Sequence, residues 1–227
     1  MKLYGHHPKT NFSYLLIGIA LFLIVGPIAD AVFGRADGAI LLLSYTTMLI
    51  IGVWGLHETK LLFNTGLALG VICVSITIAD LLIPDTDLGL YLMGVLFIFQ
   101  LMSIGTAFRY VFGKGSITLN RLFGGICLYL LLGLTWNILY VYAYTINPAD
   151  FVGLNQQALA NGNLYWEMTY FSFVTLTTLG YGDIQPVGAI AKVLAYSEAI
   201  VGELFIAVLI GALVGNYISS REAGNNN

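Results

Sequence analysis

Charge is what this 227-residue chain has least of: Lys, Arg, Asp and Glu together make up 9%, against 58% hydrophobic residues. A domain that faces water on all sides carries roughly 25% charged residues, so a soluble globular fold is excluded. Cysteine is nearly absent. Cys73 and Cys127 each sit inside an apolar run, where a thiol acts as a small hydrophobe rather than as half of a disulfide or a metal pair. No Pro-rich or Ser-rich linker divides the chain, and only the polar tail 225–227 is expected to be disordered. A cleavable leader is not indicated, because the first apolar run is long enough to stay as a helix.

Long apolar runs are what the chain does have. A membrane-crossing helix needs about 20 mostly apolar residues. Six such helices are predicted, over 12–33, 38–56, 61–83, 88–110, 122–146 and 188–219, joined by short polar connections. With a cytoplasmic N-terminus, Lys2, Lys9, Lys60, Arg109, Lys114, Arg121 and Arg221 fall inside and only Arg35 and Lys192 outside. That asymmetry predicts a multi-pass protein of the plasma or bacterial inner membrane with both termini cytoplasmic. The expected organisation is a four-helix peripheral domain (1–112), a linker (113–121), a second domain (122–220) and a short cytoplasmic tail (221–227).

One segment breaks the pattern. Between the fifth and sixth helices, residues 147–187 comprise a polar loop, an apolar and aromatic run over 164–176, and a Thr/Gly-rich stretch. At ~1.5 Å per residue a helix over that run spans about 20 Å, too short for a ~30 Å hydrocarbon core. A re-entrant loop remains: a half-helix going in and extended backbone coming out. Non-helical backbone at that depth survives only inside protein or lining a water-filled cavity, so 175–183 is expected to line a pore. Asn163 is expected to cap the half-helix, and Glu167 stands in its first turn, where an acid is favoured.

The stretch reads Thr175-Leu176-Thr177-Thr178-Leu179-Gly180-Tyr181-Gly182-Asp183. It resembles the signature of potassium channels, in sequence and in its place between a half-helix and a spanning helix; the chain is similar to the bacterial-type six-helix potassium channel family. The resemblance implies a selectivity filter at Thr178, Leu179, Gly180, Tyr181 and Gly182, binding K+ at the first four, with Asp183 at the pore mouth and Thr177 at the cavity. Carbonyls aimed at one axis require left-handed backbone angles, which Gly180 and Gly182 adopt at little cost. Leu179 and Tyr181 then point away from the axis, with Trp166, Tyr170 and Phe171 available to pack around Tyr181. One filter per chain implies a homotetramer around the pore.

In the family the last helix carries a hinge glycine, which Gly202 matches. Glu203 follows it, and helical spacing puts Ile206, Ile210 and Val214 on the same stripe, giving an acidic ring able to hold Mg2+ or polyamine blockers. The alternative turns Glu203 into the subunit contact. Glu198 lies about 140° from Glu203 around the helix. Facing the half-helix, it could accept from filter N–H groups or share a proton with Asp183; otherwise it reaches water or Lys192 near the outer interface.

The fourth helix has a single cation, Arg109, at its end. Steep voltage gating takes ~3–4 charges per subunit at ~2.3 kcal/mol each per 100 mV, so weak or absent voltage gating is expected. No catalytic constellation appears, and His6, His7 and His57 lie outside the pore loop. Neither a cofactor, beyond K+ as permeating ion, nor a nucleic-acid partner is expected; membrane lipids are. A non-selective cation channel of the same architecture and a non-conducting accessory subunit remain as alternatives.

Overall fold

The computed structural model describes residues 11–33, 48, 60–83, 88–113, 118–160 and 163–225. The apolar runs become helices because no water is available to a backbone in hydrocarbon, and a helix satisfies its own peptide groups. They are α1 (Phe12–Phe33), α2 (Lys60–Leu82), α3 (Gly89–Val111) and α4 (Leu119–Ile146). A 3-10 turn at Pro148–Asp150, strand β1 (Phe151–Val152) and the short α5 (Gln156–Ala160) come next. The half-helix α6 (Leu164–Leu176), strand β2 (Gln185–Pro186) and the long α7 (Ala189–Asn225) complete the described chain.

Among the described residues, α1, α3, α4 and α7 are long and apolar enough to cross a membrane, while α2 offers only the shorter apolar run Asn64–Ala79. The helix expected over 38–56 lies outside the described residues apart from Met48, which is helical and buried. Two boundaries differ from expectation for local reasons. α4 begins at Leu119 instead of 122 because the Thr118 hydroxyl accepts from the Arg121 backbone N–H and caps the helix there. α7 runs on to Asn225 instead of ending at 219, since Arg221-Glu222-Ala223 are good helix formers and no proline interrupts them.

α4 is the hub. α1, α3, α6 and α7 all pack on it. Phe12 at the start of α1 donates its backbone N–H to Asn120 Oδ1 at 2.8 Å and sets its ring 5.0 Å from that of Tyr110. From α3, buried Gln100 meets the Thr135 hydroxyl at 3.3 Å, and Tyr142 donates to the Leu90 carbonyl at 2.7 Å. On the other side, the Trp136 indole donates to the Leu194 carbonyl of α7 at 3.1 Å. A two-residue antiparallel ladder pairs Phe151 with Pro186 and Val152 with Gln185, drawing the two ends of the α6 region together.

Arg121 ties α3 to α4. Its guanidinium donates to the carbonyls of Tyr110 at 3.2 Å and Val111 at 2.8 Å and to that of Gly113, all at the end of α3, where carbonyls have no intrahelical partner. Hydrogen bonds to a charged group contribute a net ~1.5–3 kcal/mol, at the low end where they are partly exposed as here. Arg121→Met should therefore lower stability by about 1–3 kcal/mol, seen as a lower thermal midpoint in detergent. An unchanged midpoint would show that these carbonyls are satisfied without it.

Candidate functional site

The α6 half-helix ends at Leu176, and the chain beyond it does not return to a helix before α7. The N–H of Thr177 bonds the Phe173 carbonyl at 3.1 Å, and those of Leu179 and Gly180 both reach the Val174 carbonyl, at 3.0 and 3.2 Å. Beyond that point Thr178, Gly180 and Gly182 have φ of 57°, 56° and 79°, whereas Leu179 and Tyr181 keep negative φ. Alternation of hand turns successive peptide units the same way, so amides gather on one side of the strand and carbonyls on the other. Gly180 and Gly182 take this conformation at no steric cost, but Thr178 is a β-branched residue held in the left-handed region. Such strain persists only where surroundings enforce it and concentrates at functional sites.

Every residue from 177 to 183 is exposed within the single chain. Leu179 and Tyr181 stand 55% and 66% exposed, so the chain's own body does not cover their apolar side chains. At the far end Gln185 Nε2 donates to the Gly182 carbonyl at 2.7 Å.

The aromatic residues of α6 divide. Tyr170 stacks on Tyr181, centroids 6.5 Å apart and planes 12° off parallel, and donates its hydroxyl to Asp183 Oδ2 at 2.6 Å. Trp166 and Phe171, expected to pack around Tyr181, are engaged elsewhere in the chain. Trp166 lies 5.2 Å from Phe22 of α1 and 5.3 Å from Tyr165. Phe171 lies 4.8 Å from Tyr140 of α4 and 5.9 Å from Phe151 of β1. Phe171 stands about 100° around the helix from Tyr170 and meets α4, whereas Trp166, one turn before Tyr170 on nearly the same face, meets α1. Asn163 occupies the cap position, but its side chain makes no capping bond; its backbone carbonyl accepts from the N–H groups of Trp166 and Glu167 instead.

Glu198 is fully buried and turned toward α6, as the first expectation for it has it, but with other partners. It touches neither the loop amides nor Asp183, which is taken by Tyr170, nor Lys192. Its Oε2 lies 2.5 Å from the Tyr140 hydroxyl of α4, and its Oε1 lies 2.5 Å from the Ser172 hydroxyl of α6. Ser172 and Tyr140 are functional candidates that pattern reading missed, being 26 and 58 residues away in the chain.

Gly202 lies within unbroken α7 helix, buried against the end of α6. A Cβ there would come within 2.2 Å of the Leu176 carbonyl oxygen, which also accepts from the Tyr129 hydroxyl at 3.2 Å. Close approach therefore requires glycine here, whatever bending it also permits. Glu203, Ile206 and Ile210 are exposed, and the side chain of Val214 lies outside the described residues. Arg109 is in the last turn of α3, its Nε donating to the Gly105 carbonyl at 3.1 Å. Among the described residues no group of three or more His, Cys, Asp or Glu could hold a metal ion.

The Tyr170 bond holds the Asp183 carboxyl below its ordinary value and pushes the Tyr170 hydroxyl up to about 12. With the folded value depressed, the bond contributes fully above the ordinary carboxylate range near ~3.9 and is lost as pH falls through the lower folded value. On the alkaline side it persists until Tyr170 ionises. Tyr170→Phe should raise the Asp183 midpoint toward the ordinary range, as read from the carboxyl carbon shift by NMR. A midpoint that does not move would mean the bond is not formed in solution.

Residues 125–219, from α4 through α7, match the family model described as "Ion channel". A 60-residue part of the chain, 26% of it, is 37% identical to "Two-pore potassium channel 4" of Arabidopsis thaliana, covering 21% of that protein. A 53-residue part, 23% of the chain, is 38% identical to "Two pore potassium channel c" of Oryza sativa subsp. japonica, covering 12% of it. The match thus spans about a fifth or less of these curated relatives. No solved structure matches. This is a membrane protein with several apolar helices, whose segment 125–219 matches an ion channel family model and is similar in part to plant proteins named as potassium channels.

Proposed function

We propose that the protein is a potassium-selective channel, four copies of which surround one pore lined by Thr178, Leu179, Gly180, Tyr181 and Gly182. The observation that carries this reading is the alternating left-handed backbone at Thr178, Gly180 and Gly182, in an exposed loop directly after a half-helix too short to cross the membrane. A K+ ion that sheds its water needs a replacement shell of oxygens, and rings of backbone carbonyls supply one. The half-helix adds its negative C-terminal end beside the loop. Asp183, held in its ionised form by Tyr170, gives the mouth a negative charge. Uncovered Leu179 and Tyr181 favour assembly with further copies. The curated relatives in part similar to the chain are named as potassium channels.

Purified protein in liposomes should pass K+ and Rb+ and exclude Na+, and Tyr181→Asp should weaken that discrimination. Equal Na+ and K+ fluxes in the native protein would favour a non-selective channel, and no flux an accessory subunit.

Glu203, exposed one residue beyond the glycine that seats α7 on α6, is read as facing a central cavity. Four carboxylates there would draw cations toward the loop and hold Mg2+ or spermine entering from the cytoplasm. Patch recordings in symmetrical K+ should show block of outward current, relieved in Glu203→Gln, with a shallow conductance–voltage curve. Block identical in both proteins would place Glu203 in the subunit contact instead.

A further inference from the structure

The hydrogen count around Glu198 reaches beyond conduction. Three oxygen contacts form one line across three helices: Tyr140 hydroxyl to Glu198 Oε2 at 2.5 Å, Glu198 Oε1 to Ser172 Oγ at 2.5 Å, and Ser172 Oγ to the Gly133 carbonyl at 2.7 Å. The Gly133 carbonyl can only accept. A contact of 2.7 Å between two oxygens needs a hydrogen between them, and the only one available is that of Ser172. A serine hydroxyl carries one hydrogen. Once it is given to Gly133, the contact between Ser172 Oγ and Glu198 Oε1 needs another, and that hydrogen must belong to Glu198.

We propose that Glu198 is a neutral carboxylic acid whose Oε1–H donates to Ser172, so that α7 is stapled through α6 to α4 by an unbroken run of donors. Tyr140 donates to the acid's carbonyl oxygen, the acid donates to Ser172, and Ser172 donates to Gly133. Three hydrogens fill three contacts. Lengths of 2.5 Å suit either a carboxylate that accepts or an acid that donates, so the count of hydrogens decides and not the distances. The surroundings agree. Glu198 has no solvent exposure, and no Lys, Arg or His among the described residues pairs with it. A buried carboxylate with no cation beside it is strongly disfavoured, whereas a neutral acid with both oxygens bonded costs far less. Tyr129, the other α4 tyrosine facing this region, gives its hydroxyl to the Leu176 carbonyl.

The arrangement makes Glu198 a positioning residue for α6, and so for the loop that α6 carries. Ionisation would call the Ser172 hydroxyl round to the carboxylate and strip Gly133 of its bond, loosening the half-helix from α4. The inference stands on one chain's own contacts and does not depend on which ion passes.

Infrared spectroscopy of the purified, reconstituted protein tests it. At pH 7 the native protein should show a protonated carboxylic C=O band above the amide region. It should vanish in Glu198→Gln, whose amide can replace both bonds, and move to higher frequency in Tyr140→Phe, where the carbonyl loses its donor. Should Glu198→Gln fail to assemble, isotopically labelled glutamate assigns the band in the native protein to a Glu side chain, and its shift in Tyr140→Phe assigns it to Glu198. Absence of the band at pH 7, or a band unmoved by Tyr140→Phe, would overturn the proposal. Liposome flux is read separately, so failure of conduction leaves this result standing.

Discussion

A backbone that leaves its helix has to find new partners for its N–H groups and carbonyls, and the rest of this structure is arranged around that demand. The critical point is the end of α6. The Val174 carbonyl takes two amides from the loop, Tyr129 reaches across from α4 to the Leu176 carbonyl, and Gly202 lets the α7 backbone close over the same group. None of these contacts is available to α6 alone. The half-helix is held as a wedge between α4 and α7, and the strained loop at Thr178 is carried on that wedge.

Specific polar bonds behind the wedge set its angle more tightly than apolar contact would. Leu and Phe side chains can slide with little change in energy, but a hydroxyl shared between Gly133 and Glu198 cannot. Around this line the aromatic rings of Tyr140, Phe151 and Phe171 pack edge to face, which excludes water and keeps the polar contacts strong. The same layer extends the support outward: Phe151 belongs to the short ladder that draws β1 to β2, and β2 comes directly after Asp183 and Ile184.

The opposite side of the chain is unfinished. Tyr196, Ile200 and Leu204 of α7 are more than half exposed, as are Leu179 and Tyr181 of the loop. Exposed apolar surface of that extent marks contact with lipid or with another protein surface. α7 touches α4 at its lower end through Phe205, which stacks on Tyr129 at 5.7 Å, and Leu209, which sits against Gly125. Nearer its start α7 is held by Leu194, Glu198 and Gly202, and the opposite face that carries Tyr196, Ile200 and Leu204 is left for a neighbour, lipid or a cavity.

Much of this was legible from residue order. Apolar runs of spanning length with few charges must become helices in hydrocarbon, so α1, α3, α4 and α7 were readable to within a few residues except where Thr118 caps early and 220–225 stays helical. The half-helix 164–176 followed from its length, and the left-handed positions at Gly180 and Gly182 from the freedom only glycine has. Partners across the fold were not legible. Trp166 and Phe171 looked available to Tyr181 because they share a helix with Tyr170, yet α1 takes the first, one turn earlier, and α4 takes the second. Glu198 declared itself as a carboxylate within an apolar helix, but its partners come from two other helices. Local pattern determines which face of a helix is apolar; only the packing of one helix on another decides which side chains meet, because that depends on crossing angle and depth, which no single segment carries.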